Sequence, residues 1–169
     1  MKKVYDTINQ YCVEHELLTN GDGIVIGLSG GMDSVCLLQV LAALRNEWQL
    51  RLVCVHVHHG IRGTAADEDA AFAQRLAAKY NISFRLYEMD IPQLAKEQGL
   101  SEEEAGRNYR YRCFEEVRKE LNFDKIAVAH HRDDQAETVL WQILRGSGLR
   151  GVCGMRAGRA NIILSLIHI

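Results

Sequence analysis

A chain of 169 residues has the length of one ordinary domain. Its 47% apolar and 25% charged residues match an average globular protein and suffice for a sizeable core. A formal charge of −2 excludes nucleic-acid binding by bulk electrostatics, so an RNA partner has to meet local basic clusters.

In chain order, the first expected element is an amphipathic helix from Val4 to Leu17, with Val4, Ile8, Tyr11 and Cys12 on one side. Asn20-Gly21-Asp22-Gly23 punctuates it, and Ile24 to Leu28 reads as a buried parallel strand. A glycine loop follows, and Ser34 to Leu44 continues as an apolar helix. Leu50 to Val57 reads as a second strand. Thr64 to Tyr80 reads as a helix whose first turn carries Asp67, Glu68 and Asp69, where the helix dipole favours acids. A third strand is expected from Ile82 to Met89, and a short helix from Pro92 to Gln98. Ser101, with Glu104 three residues on, opens a longer helix through a capping box. Lys125 to Ala129 is a fourth strand and Asp133 to Arg145 a further helix. There is no internal repeat and no low-complexity linker.

Strands alternating with helices imply an α/β fold, a parallel sheet with helices on both faces and right-handed crossovers. Ligands of such sheets bind at the carboxyl ends of the strands, near a topological switch point. Met1-Lys2-Lys3 leads into polar sequence without the apolar run of a signal peptide, and no stretch has the length and apolarity of a membrane span. Cys12, Cys36, Cys54, Cys113 and Cys153 form no C-x-x-C pair and read as buried free thiols of a reducing cytoplasm rather than zinc or iron–sulfur ligands.

Three clusters fall at strand carboxyl ends. In Ser29-Gly30-Gly31-Met32-Asp33-Ser34 the glycines admit close backbone approach, the helix start supplies N–H groups and positive potential, and Ser29 and Ser34 can add hydroxyl donors. Together they make an anion site. The loop is not a Walker A motif, because it lacks Gly-Lys-Ser/Thr. Asp33 would repel phosphate directly, so its natural role is to hold magnesium. The second cluster runs from His130 to Thr138. Asp134 and Glu137 share a helix face there, and Asp134 can join Asp33 at a metal or orient a nucleophile. His130, at the strand end, can meet a phosphate or a reacting group. The bland reading of the same residues is dipole-favoured acids and a core histidine.

The third cluster is His56 to Arg62. His56 and His58 share a strand face, but no third ligand stands at zinc spacing, so a loop lining the nucleotide pocket is the better reading. Arg62 has either a phosphate or base contact, or a solvated loop position. Between these clusters, Arg107 and Arg110 share one helix face and suit nucleotide or RNA phosphates, unless they pair with the neighbouring glutamates.

In this order the motifs resemble the N-type ATP-pyrophosphatases of the PP-loop superfamily, and most closely the tRNA(Ile)-lysidine synthase family. Ser29–Ser34 fits S-G-G-x-D-S, and His58–Arg62 with Asp67 following fits the second motif. Ala105–Tyr111 fits A-R-x-x-R-Y with Gly106 inserted, and His130–Thr138 fits H-H-x-x-D-x-x-E-T. Arg145-Gly146-Ser147-Gly148 fits the R-G-x-G continuation. The resemblance covers about residues 21–160.

It implies a Rossmann-like three-layer sandwich of the adenine nucleotide alpha hydrolase type. It also implies a carbon–nitrogen ligase that adenylates the wobble cytidine of tRNA(Ile), releases pyrophosphate, and then lets the amine of free L-lysine expel AMP. On that reading ATP and Mg2+ are the cofactors. Ser29, Gly30, Gly31, Met32, Asp33, Ser34, His56 and Arg62 bind the nucleotide. Asp33, His130, Asp134 and Glu137 are catalytic, with Asp33 and Asp134 on the metal. Arg107, Arg110 and Arg145 contact substrate. The expected location is cytoplasmic, without membrane association, and a homodimer is compatible with the sequence.

Residues 1–163 are expected to be the catalytic domain and 164–169 a non-native or disordered tail, with the family's C-terminal tRNA and substrate domains absent and ATP binding retained. Two rival readings are a tRNA 2-thiolation enzyme of the same fold and a non-catalytic ATP-binding module. The thiolation enzymes typically use cysteine pairs, which this chain lacks. The second reading is disfavoured by Asp33 and Asp134 together.

Overall fold

The computed structural model describes residues 2–58, 63–129 and 162–163. The elements run α1 (Lys2–Glu14), β1 (Gly23–Gly27), α2 (Met32–Leu44), β2 (Arg51–His58), α3 (Gly63–Lys79), β3 (Ser83–Glu88), α4 (Ile91–Gln98), α5 (Glu102–Glu120), β4 (Lys125–Val128) and β5 (Ile162–Ile163). The expected helix over 133–145 and the tail over 164–169 lie outside the described residues.

The strands form one sheet in the order β3-β2-β1-β4-β5, and every neighbouring pair is parallel. Alternation along the strands divides the core between the two faces. Ile24 and Ile26 of β1 and Leu52 and Cys54 of β2 pack with Cys12, Leu38, Leu41 and Ala73 from α1, α2 and α3. Val25, Val53, Val55 and Val57 pack with Ile91, Ala105, Phe114 and Val117 from α4 and α5. Both faces of β1 and β2 are thus covered, which explains their nearly continuous apolar sequences. The result is the expected three-layer α/β sandwich. Strand order reverses between β1 and β4, where Gly27 stands in register with Val128. That junction is the switch point.

Side-chain caps fix two helix starts. Asp90 accepts the Gln93 N–H at the head of α4, and Ser101 accepts the Glu104 N–H at the head of α5. The second is one half of the anticipated capping box. Two expectations need correction. The first helix ends at Glu14 rather than Leu17, because Glu16 turns left-handed (φ 50°) and the Leu17 N–H closes back on the Cys12 carbonyl at 2.9 Å. α3 starts early enough that its first turn holds no acidic residue, so the dipole does not explain Asp67, Glu68 and Asp69.

Candidate phosphate-loop site at the carboxyl end of the sheet

β1 delivers the chain to the carboxyl edge of the sheet, where the buried Leu28 donates its N–H to the Val55 carbonyl at 2.9 Å. The next residues form a closed loop around one hydroxyl. Oγ of the buried Ser34 accepts the Ser29 N–H at 3.2 Å and the Ser29 hydroxyl at 3.1 Å. The Ser34 hydroxyl donates to the Gly31 carbonyl at 2.8 Å, while the Gly31 N–H donates to Ser29 Oγ at 3.3 Å. The expectation that both serines offer hydroxyl protons to a ligand therefore changes in this arrangement: the Ser29 proton goes to Ser34 Oγ and the Ser34 proton to the Gly31 carbonyl.

Gly30 takes φ +91°, a conformation that disfavours a side chain. α2 then starts from Gly31, an N-cap with no side-chain cap hydrogen bond, unlike α4 and α5. Its first-turn N–H groups and the positive end of its dipole face the carboxyl side of the sheet, the arrangement that binds anions. Met32 is 88% exposed. Asp33 is exposed in the first turn of α2 and presents hard oxygen donors beside the loop. Below the loop, Gly27 admits α5 closely: a methyl group there would stand 2.7 Å from Phe114 Cζ.

Two histidines end β2. His56 is buried, and its Nδ1 lies 2.7 Å from the Leu28 carbonyl. Nδ1 therefore carries the proton and, in the neutral ring, Nε2 is an acceptor. Burial lowers the His56 pKa, the Leu28 hydrogen bond opposes that shift, and His58 and Arg110 add to it. His56, expected as a nucleotide ligand, thus anchors the residue that opens the loop. His58 Nε2 sits 3.2 Å from Asp67 Oδ1 of α3. Among the described residues no group of three or more His, Cys, Asp or Glu has metal-holding geometry. Magnesium needs no such cage, since one or two carboxylates and the substrate's phosphates suffice, and Asp33 at a loop without lysine fits that mode.

The sequence reading missed Asp69. A methyl group on Gly30 would meet Asp69 Cβ and Oδ1 at 3.7 Å, so α3 brings this carboxylate to the rim of the loop. The Asp69 charge also reaches His56, where it partly opposes the lowering of the pKa by burial. From the opposite face of the sheet, α5 supplies Arg110, half-buried and with its pKa lowered by desolvation and by Arg107. Arg107 is exposed one turn earlier. At the ends of β2 and β3 a cavity of about 360 Å³ is lined by His58, Asp67, Glu88, Met89 and Asp90. Arg62, His130, Asp134, Glu137 and Arg145 lie outside the described residues.

Of the cysteines, Cys12, Cys54 and Cys113 are buried and Cys36 is half-buried, all as free thiols. Burial pushes the Cys12 thiol up to about 11 and the Cys54 thiol to about 12. No helix among the described residues is long and apolar enough to cross a membrane.

Comparison with known proteins adds the family. The chain is 48% identical over all 169 residues to a tRNA(Ile)-lysidine synthase from Caldanaerobacter subterraneus, of which it covers 35%. It is 41% identical over 161 residues, 95% of the chain, to one from Clostridium tetani, of which it covers 34%. The chain thus spans about a third of the length of these curated relatives. Among solved structures, the U34-tRNA thiolase NcsA from Methanococcus maripaludis is similar in fold, with a TM-score of 0.66 and 24% identity over 88% of this chain and 53% of that one. The family model described as the PP-loop domain matches residues 2–167, nearly the whole chain: the chain belongs to the PP-loop domain family.

Proposed function

We propose that this chain is the ATP-using catalytic domain of a tRNA(Ile)-lysidine synthase, a ligase that joins free L-lysine to the wobble cytidine of tRNA(Ile). The observation that carries this reading is the 48% identity to a protein of that name across the whole chain.

In the proposed reaction the Ser29–Ser34 loop and the α2 N-terminus hold the ATP phosphates. The cytidine oxygen attacks the α-phosphate, pyrophosphate leaves, and the adenylated carbon is then attacked by the lysine amine with loss of AMP. Bound at Asp33, with Asp134 as a second ligand, magnesium supplies charge neutralisation for the phosphates. His56 keeps the loop anchored through Leu28. Arg107 and Arg110 of α5, with Arg62 and Arg145, are assigned to phosphate or tRNA contacts. His130, Asp134 and Glu137 are assigned to the reacting groups, where a carboxylate accepts the proton that the amine must lose. The acidic cavity lined by Asp67, Glu88 and Asp90 has the charge to attract an amine. Residues 1–163 are assigned to this domain, acting in the cytoplasm, alone or as a homodimer.

A 2-thiolation chemistry finds little support in the described thiols, since Cys12, Cys54 and Cys113 are buried in the core and only Cys36 is half-buried. The test is ATP–pyrophosphate exchange with tRNA(Ile), with and without lysine, followed by mass analysis of the modified nucleoside. tRNA-dependent exchange and lysidine are the expected results. Exchange without tRNA dependence, or a 2-thiocytidine product, refutes the reading.

A further inference from the structure

We propose that the outer edge of β3 is an interface at which two copies of this chain join their sheets, by antiparallel pairing about a two-fold axis at Leu86. The inference is independent of the activity proposed above.

β3 is the outermost strand of its side of the sheet and pairs with β2. Met89 donates its N–H to the His58 carbonyl at 3.1 Å. Alternate residues of a parallel strand face the neighbour, so Arg85 and Tyr87 also point their backbone groups at β2. Phe84, Leu86 and Glu88 turn theirs outward. Among the described residues, none of the backbone bonds between segments uses Phe84 or Leu86, and the Glu88 carbonyl accepts from the Tyr109 hydroxyl at 3.4 Å. Such an edge is a template for another strand unless it is blunted. β3 has no proline and no lysine, and its one cation, Arg85, is drawn back to Glu120 of α5 at 2.9 Å. Phe84 packs on the core shared with α3, and Leu86, two residues on, belongs to the same face. On that face Leu86 is 45% exposed and Phe72 of α3 41%.

The strand complements itself in one register. A two-fold axis normal to the sheet pairs residues of the same face, so it can pass at Arg85, Leu86 or Tyr87. At Arg85 it sets two guanidinium groups against each other, which is unfavourable. At Tyr87 it sets Leu86 against Glu88 of the second copy. At Leu86 it brings the two exposed leucines together and lays each Arg85 opposite Tyr87 of the second copy. That ring lies in the field of Glu116 and Glu120 from α5, so the arriving cation meets an aromatic face and acidic charge together. The outward backbone groups of Phe84, Leu86 and Glu88 then exchange hydrogen bonds with those of Glu88, Leu86 and Phe84. Because the pairing is antiparallel, the two phosphate loops lie on opposite edges of the joined sheet and each site stays complete in its own copy.

The experiment is sedimentation equilibrium of the chain over a concentration series up to the millimolar range, for wild type and Leu86→Lys. Wild type is expected to show a monomer–dimer equilibrium. Leu86→Lys sets like charges opposite each other in place of an apolar pair, and association is expected to weaken about a hundredfold. Leu86 is exposed, so the variant is expected to unfold thermally as wild type does. The register is read by mild oxidation of Leu86→Cys and Ser83→Cys, with wild type as the blank for the native thiols. Opposed residues of a hydrogen-bonded antiparallel pair have Cα atoms about 5.5 Å apart, within reach of a disulfide. Leu86→Cys is therefore expected to yield a covalent dimer, and Ser83→Cys, at the far end of the strand, to yield none above the blank. A wild type that stays monomeric leaves the edge to a strand of another protein and overturns the proposal. Unweakened association of Leu86→Lys, or a cross-link at Ser83→Cys in preference to Leu86→Cys, overturns it as well.

Discussion

The two ends of the parallel sheet treat charge in opposite ways. At the amino end, charges close on one another. Lys125 reaches Asp22 at 2.7 Å and the Leu17 carbonyl at 2.7 Å. Asp124 takes the Gly23 N–H at 2.7 Å and pairs with Arg51 at 3.3 Å. At the carboxyl end, carboxylates gather instead: Asp33 and Asp69 beside the loop, and Asp67, Glu88 and Asp90 around the neighbouring cavity. The difference separates roles. The amino end ties the strand starts together, and the carboxyl end holds a field that a ligand can answer.

The largest expected effect tests the amino end. Lys125→Ala leaves Asp22, only 8% exposed, without its cation and should cost about 3 kcal/mol of stability. ATP affinity should stay at the wild-type value. Urea unfolding and dialysis check the two halves, and a matched loss of affinity would erase the division of roles. At the carboxyl end, Ser34→Ala removes the hydroxyl around which the loop closes. A stability loss of about 1–2 kcal/mol is expected. ATP affinity should also fall about tenfold, because the loop loses its preset geometry. Lost stability with unchanged affinity would show that the hydroxyl bonds serve the fold alone.

The smallest effect is a slope. His56 ionises below its ordinary value of 6.5 when folded, chiefly because it is buried. As pH falls below about 6.5, the unfolded chain takes up a proton that the folded chain resists, so stability drops until the folded pKa is reached. The His56 contribution is fully present above that window. Melting temperature followed against pH should show this fall in wild type and lose it in His56→Asn, whose amide can still donate to Leu28. Equal slopes in the two proteins would remove His56 from the account.

Much of this was legible in the chain. The apolar runs from Ile24 and Leu52 announce buried parallel strands, since their side chains meet helices on both faces. Gly30 and Gly31 between strand and helix mark the loop because backbone demands are local. What sequence hid depends on packing between distant segments. The hydrogen bond from His56 to the Leu28 carbonyl spans 28 residues. Asp69 reads as one acid in a run of three until α3 docks and turns it toward Gly30. The end of α1 was misplaced because a left-handed Glu16 carries no compositional signal.

The contact under the loop carries a mechanical consequence. With 2.7 Å between Phe114 Cζ and the site of a methyl on Gly27, and Val128 Cγ1 at 3.1 Å, the end of β1 has no slack against α5. α5 is also the helix that bears Arg107 and Arg110. A load applied to those arginines is therefore transmitted through the Phe114 ring to the strand that leads into the phosphate loop. In the proposed reaction, a pull on those arginines and the alignment of the nucleotide would be geared to one another, with a single glycine as the bearing.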